Sequence, residues 1–110
     1  MARKGLGAAP DLAAAAAMYQ KGCDLGFARG CTNLAVALNQ GEGVEKDAKG
    51  AAELFTKACD AEDSLACLNL AIVYRDGDGV KKDLKKSKAL NERACDLGDE
   101  EACKFVVKKK

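Results

Sequence analysis

Residues 47–82, DAKGAAELFTKACDAEDSLACLNLAIVYRDGDGVKK, decide the fold. Ala51, Leu54, Phe55 and Ala58 fall at i, i+3, i+4 and i+7, the apolar stripe of an amphipathic helix. Asp47 stands just before them as an N-cap. The spacing predicts a second helix over 64–75, carrying Ala66, Leu70, Ile72, Val73 and Tyr74, with Ser64 or Asp63 as its cap. Asp60 to Asp63 form a short turn between them, so the stretch reads as a helical hairpin. Gly77-Asp78-Gly79-Val80-Lys81-Lys82 closes it. A glycine just past a helix end supplies the left-handed C-terminal conformation, and the valine tucks against the hairpin beneath.

The hairpin recurs in both directions with a period of 36 residues. Cys23 and Cys31, Cys59 and Cys67, and Cys95 and Cys103 are each eight apart, and each pair lies 36 residues after the last. A fixed period of this length marks a repeat array. Residues 1–110 are read as one repeat domain, with units 11–46, 47–82 and a truncated 83–110. The first two agree at 14 of 36 positions, among them Asp11/Asp47, Lys21/Lys57, Asn33/Asn69, Leu34/Leu70 and Gly41/Gly77. The third keeps its cysteines, Asp83, Leu90, Ala94, Asp96 and Ala102. Gly5, Gly7 and Asp11 repeat Gly41, Gly43 and Asp47, which reads as an inter-repeat loop and points to a segment of a longer array. Small residues precede every cysteine: Gly22, Ala58 and Ala94 before the first of each pair, Gly30, Ala66 and Ala102 before the second. They allow the two helices to approach closely near their shared turn.

Composition narrows the function. Of 110 residues 48% are hydrophobic, but alanine supplies much of that, there is no Trp, and the aromatics are Tyr19, Phe27, Phe55, Tyr74 and Phe105. A chain this size buries roughly 65% of its unfolded surface, so covalent constraint would help. The net charge of +1 gives no electrostatic case for nucleic acid. Lys104 and Lys108 to Lys110 read as a solubilising helix end. No stretch is long and apolar enough to span a membrane. Pro10 and Asp11 interrupt the run from Leu6 to Met18, a poor signal peptide, so either the protein is cytosolic or a leader lies outside this chain.

No catalytic set emerges. Without histidine there is no Ser-His-Asp or Cys-His arrangement. Ser64 and Ser87, the only serines, are followed three residues on by Cys67 and Leu90, not by lysine. Glu100 and Glu101 suit the first turn of a helix. Asp76-Gly77-Asp78-Gly79 lacks the later oxygen ligands of a calcium loop and reads as a turn. No cofactor or metal site is expected. Six cysteines allow 15 connectivities. The period puts each pair across a hairpin turn, where local bridging is geometrically plausible. Free buried thiols and zinc are the rivals, although Cys-x7-Cys without histidine departs from structural zinc spacing.

The motifs Ala51, Leu54-Phe55, Lys57-Ala58-Cys59, Asn69-Leu70-Ala71 and Gly77-Asp78-Gly79-Val80 resemble the Sel-1-like repeats, relatives of the tetratricopeptide repeats, over residues 5–107. The Ala-Cys-x7-Cys stretch is similar to their cysteine-rich branch. Asn91 departs from the aromatic at Tyr19 and Phe55, and Phe105-Val106-Val107 from Asn-Leu-Ala, both read as end effects. The resemblance implies a disulfide within each hairpin, Cys23–Cys31, Cys59–Cys67 and Cys95–Cys103, in an all-α, right-handed solenoid. It implies an oxidising compartment, periplasmic or secreted. Stacked hairpins form a curved surface, which in related repeats the first helices line. The outward positions there are Ala13, Ala17, Gln20 and Asp24; Lys49, Glu53, Thr56 and Asp60; Lys85, Ala89, Glu92 and Asp96. Gln20, Lys49, Glu53, Thr56, Lys85 and Glu92 are therefore the candidate partner-binding residues, on a monomeric, non-enzymatic scaffold for a protein or peptide. Two alternatives stand beside it: β-lactam binding or weak β-lactamase activity, described for cysteine-rich relatives, and a repeat fragment without activity of its own.

Overall fold

A computed structural model describes residues 11–104. It holds helices α1 (Leu12–Asp24), α2 (Ala28–Gln40), α3 (Ala48–Asp60), α4 (Ser64–Asp76), α5 (Leu84–Asp96) and α6 (Glu100–Lys104). There is no strand among the described residues. Gly5 to Pro10, Phe105-Val106-Val107 and Lys108 to Lys110, each given a reading above, lie outside them. Every helix packs on the next in the chain, and α2 also touches α4. The result is an all-α solenoid of three hairpins, 57 × 26 × 26 Å. Its radius of gyration, 15.6 Å, exceeds the roughly 13 Å of a compact domain this long.

The periodic aspartates start the first helix of each unit. Asp11, Asp47 and Asp83 accept from the backbone N–H groups of Ala14, Gly50 and Lys86 at 3.0, 2.9 and 3.0 Å. Each bond satisfies an amide that a helix N-terminus leaves without an intrahelical partner. The second helices are capped unevenly. Asp99 accepts from Ala102 N–H at 3.0 Å. Asp63 occupies the N-cap of α4 but makes no capping bond, and neither does Phe27 before α2.

Gly41 and Gly77 end α2 and α4 in the left-handed conformation, at φ 72° in both. The second glycine of each loop is more tightly constrained. Gly43 has φ 77°, and a Cβ there would meet Leu12 O at 2.1 Å. Gly79 has φ 79°, and its Cβ would meet Ala48 C at 2.5 Å. The loop after each hairpin thus folds back on the backbone that starts the same hairpin. Val80 packs on the core and Val44 is half-buried, as the loop pattern predicts.

The core is mostly alanine and cystine. Ala35, Ala51, Ala58, Ala66, Ala71, Ala94 and Ala102 are fully buried, and among the described residues Phe55 is the one buried aromatic ring. Phe55 on α3 belongs to the core cluster with Ala35, Leu70 and Val73, and with Val36, Asn39, Asn69 and Ile72 it lines a cleft of about 130 Å³ between α2, α3 and α4. One unit later Asn91 takes its position and, with Leu68, Ala71, Ile72, Arg75 and Ser87, lines a second cleft of about 50 Å³. The buried Asn91 Oδ1 has no hydrogen-bond partner there.

Gly79→Ala should cost about 3 kcal/mol in chemical denaturation, combining a positive φ with a backbone clash. Gly98→Ala should cost only about 1 kcal/mol, because Gly98, at φ 104°, has open space where a Cβ would go.

Candidate partner-binding surface

All three bridges form within their hairpins: Cys23–Cys31, Cys59–Cys67 and Cys95–Cys103, with Cα–Cα distances of 4.5, 4.7 and 4.6 Å. These lie at the short end of disulfide geometry, and small neighbours make them attainable. A Cβ on Gly30 would lie 2.8 Å from Cys23 N and 3.0 Å from Gly22 C, so α1 and α2 meet backbone to backbone. Ala66 and Ala102 hold the same place in the next units with no exposed surface. The Cys23–Cys31 and Cys59–Cys67 bridges are buried, whereas Cys103 is exposed at the end of the described array. No group of His, Cys, Asp or Glu among the described residues could hold a metal ion.

Gln20, Lys49, Glu53, Thr56, Lys85 and Glu92 are all exposed on α1, α3 and α5. The helical register stacks Lys49 and Glu53 one turn apart on α3, with Thr56 a turn further on. Two of the six have internal partners. Gln20 Nε2 donates to Asp24 Oδ1 at 2.9 Å, and the Thr56 hydroxyl donates to the Ala52 carbonyl at 2.8 Å. The first helices change character along the array. Exposed residues on α1 include Leu12, Ala13, Ala14, Ala17 and Met18 beside Gln20, Lys21 and Asp24, whereas α5 exposes Lys85, Lys86, Lys88 and Arg93 beside Leu84, Ala89, Glu92 and Asp96. Lys86 Nζ sits 4.6 Å from the centre of the Tyr74 ring, a cation–π contact between units two and three.

Polar bonds between units join the hairpins, and the repeat pattern does not reveal them. Arg29 on α2 forks onto Asp63, Nη2 to Oδ1 at 2.9 Å and Nε to Oδ2 at 3.1 Å, while the buried Thr32 hydroxyl donates to Asp63 Oδ2. Burial pushes the Asp63 carboxyl up. The bonds from Arg29 and Thr32 and the Arg29 charge outweigh that and hold it below the usual carboxylate range. The same pairing raises the Arg29 guanidinium. The Ser87 hydroxyl donates to the Ala71 carbonyl at 2.7 Å, and Arg93 donates to the Cys59 carbonyl at 3.4 Å. Each donor stands at a break in the period. Arg29 and Thr32 face Leu65 and Leu68 in register, Ser87 replaces Ala15 and Ala51, and Arg93 replaces Lys21 and Lys57.

The Sel1 repeat family matches residues 1–27, 28–63 and 64–99. The chain is a Sel1 repeat protein. The second and third matched segments begin at α2 and α4, half a unit out of step with the cysteine frame. No curated protein sequence matches the chain. Among solved structures, Helicobacter pylori cysteine rich protein B is 36% identical with a TM-score of 0.77, over 80% of this Sel1 chain and 66% of that protein. A protective antigen of uropathogenic Escherichia coli strains with an SLR fold is 26% identical with a TM-score of 0.80, over 84% of this chain and 20% of that one. A Sel1 repeat protein from Oxalobacter formigenes is 28% identical with a TM-score of 0.79, over 90% of this chain and 41% of that one. The Sel1 chain therefore spans less than two thirds of the length of each. No helix among the described residues is long and apolar enough to cross a membrane.

Replacing Cys59 and Cys67 together by alanine should lower stability by about 2.5 kcal/mol, the chain-entropy value for closing a loop of this length, read from guanidinium denaturation. Asp63→Asn should destabilise most at neutral pH. A folded pKa below the unfolded value stabilises above the unfolded pKa, about 3.9. That contribution disappears as pH falls through the folded value, so the gap between wild type and Asp63→Asn should close below about pH 4.

Proposed function

We propose that the chain is a non-enzymatic interaction scaffold that holds a protein or peptide along its first helices. The observation that carries this reading is the register of α1, α3 and α5. Their outward positions recur every 36 residues and remain exposed along the 57 Å array. Sel1 repeats generally serve as protein-interaction modules, which supports the same reading. Along the outward positions Ala13 and Ala17 on α1 give way to Lys85 on α5, which fits a partner segment that is apolar at one end and carries an acidic residue at the other. Lys49, Glu53 and Thr56 would fix its register between those ends, with Gln20, Lys85 and Glu92 at the flanks. The scaffold acts as a monomer. Three disulfides suit an oxidising compartment, which we assign to the periplasm or the exterior.

Panning a displayed peptide library against the intact protein tests the proposal. Enriched peptides should carry Asp or Glu at one end. Lys49→Glu and Lys85→Glu should each weaken them a few-fold at low salt, the size expected of one exposed charge pair, and less at high salt. If no peptide is enriched, and highly purified protein hydrolyses nitrocefin in a way that one point substitution abolishes, the scaffold reading fails.

A further inference from the structure

The cleft of about 130 Å³ between α2, α3 and α4 lies inside the array, at the junction of the first two hairpins. Both of its second helices run their full 13 residues, so its walls are complete. Val36, Phe55, Ile72 and Val73 give it an apolar lining, while Asn39 joins from α2 and Asn69 from α4. No charged side chain among the described residues lines it. At the helical period, Phe55 points to a different side of α3 from Lys49, Glu53 and Thr56. The cleft is therefore separate from the first-helix surface.

Asn39 Oδ1 is buried there without a hydrogen-bond partner. An acceptor left unpaired in a buried place costs stability, and the fold does not require asparagine at this position, since Arg75 stands there one unit later. The χ2 torsion of asparagine turns over a broad range, so the oxygen can swing into the cleft when a donor enters. That donor must be uncharged, because no carboxylate lines the cleft to offset a buried cation. It must also sit at the tip of a short apolar stem that can pass Ile72, 38% exposed, and pack on the floor.

We propose that this cleft is a subsite for the side-chain carboxamide of a glutamine in a partner polypeptide. The glutamine NH₂ donates to Asn39 Oδ1, its C=O accepts from the Asn69 side-chain NH₂, and its methylenes pack on Phe55 and Ile72. A cavity of about 150 Å³ holds benzene, and a glutamine side chain has one heavy atom fewer. The next junction has no such subsite, because Arg75 and Asn91 replace Asn39 and Phe55.

Titrating the intact protein with N-acetyl-glutamine N-methylamide, followed by nitrogen–proton correlation spectra and NOEs, tests the proposal. The side-chain NH₂ signals of Asn39 and Asn69 should shift together and saturably, with NOEs from the ligand methylenes to the Ile72 methyl groups. Capped glutamate has the same shape but is charged and has no side-chain donor. It and capped leucine should bind at least several-fold more weakly. Asn39→Leu should abolish the Asn69 shift and raise the guanidinium midpoint, because it removes the unpaired oxygen. Lys49→Glu, on the first-helix surface, should leave the titration unchanged, so this subsite and the scaffold reading stand or fall separately. The proposal is overturned if no saturable shift occurs, or if capped glutamate or leucine shifts the same signals equally. It is also overturned if the Asn69 shift survives Asn39→Leu, or if that variant unfolds at a lower midpoint.

Discussion

Close approach of two helices at a disulfide is the constraint on which the rest of this solenoid depends. Each cystine joins the end of one helix to the first turns of the next at a Cα separation of 4.5 to 4.7 Å. That distance excludes large side chains beside the bridge. Glycine or alanine precedes each cysteine, and at Gly30 a Cβ would press on the backbone of α1. An alanine core buries little apolar area per residue, about 25 cal/mol per Å², so cross-links compensate for small side chains. The same small side chains make the cross-links attainable, and neither feature would serve without the other.

Within a hairpin, stability is local and repetitive: an aspartate cap, a cystine, and a glycine loop folded back on the first helix. Between hairpins it is specific. Phe55 places a buried ring in one junction, and Asn91 takes its position in the other with an unpartnered Oδ1. Arg29 and Thr32 hold Asp63 across the first junction, whereas Ser87, Arg93 and Lys86 bridge the second. A repeat array with only neighbour contacts has a stability close to the sum of its units and junctions. The two junctions here draw on different chemistry and would respond differently to pH and salt.

The exposed surface follows from the same division. The face of each first helix that meets neighbouring helices carries small or apolar residues, so its outer positions are released from packing and vary freely. They read Ala13, Ala17, Gln20 and Asp24 on α1 but Lys85, Ala89, Glu92 and Asp96 on α5. Variation on a fixed frame is how a solenoid acquires a partner without changing its fold.

The sequence by itself determined the architecture. Its 36-residue period, the Asp11/Asp47/Asp83 caps, the cysteine pairs and the Gly41 and Gly77 helix ends are local signals, each set by the chemistry of a few neighbouring residues. The tertiary structure decided what crosses from one hairpin to the next. Asp63 reads as a helix cap in its own unit, yet Arg29 and Thr32, more than 30 residues away, draw its carboxylate into a junction. Gly43 and Gly79 read only as periodic glycines of the inter-repeat loop, but backbone from the start of the same hairpin leaves no room for a side chain. Such contacts depend on how hairpins stack in space, and a period shared by all units conceals the positions where one unit differs in order to hold its neighbour.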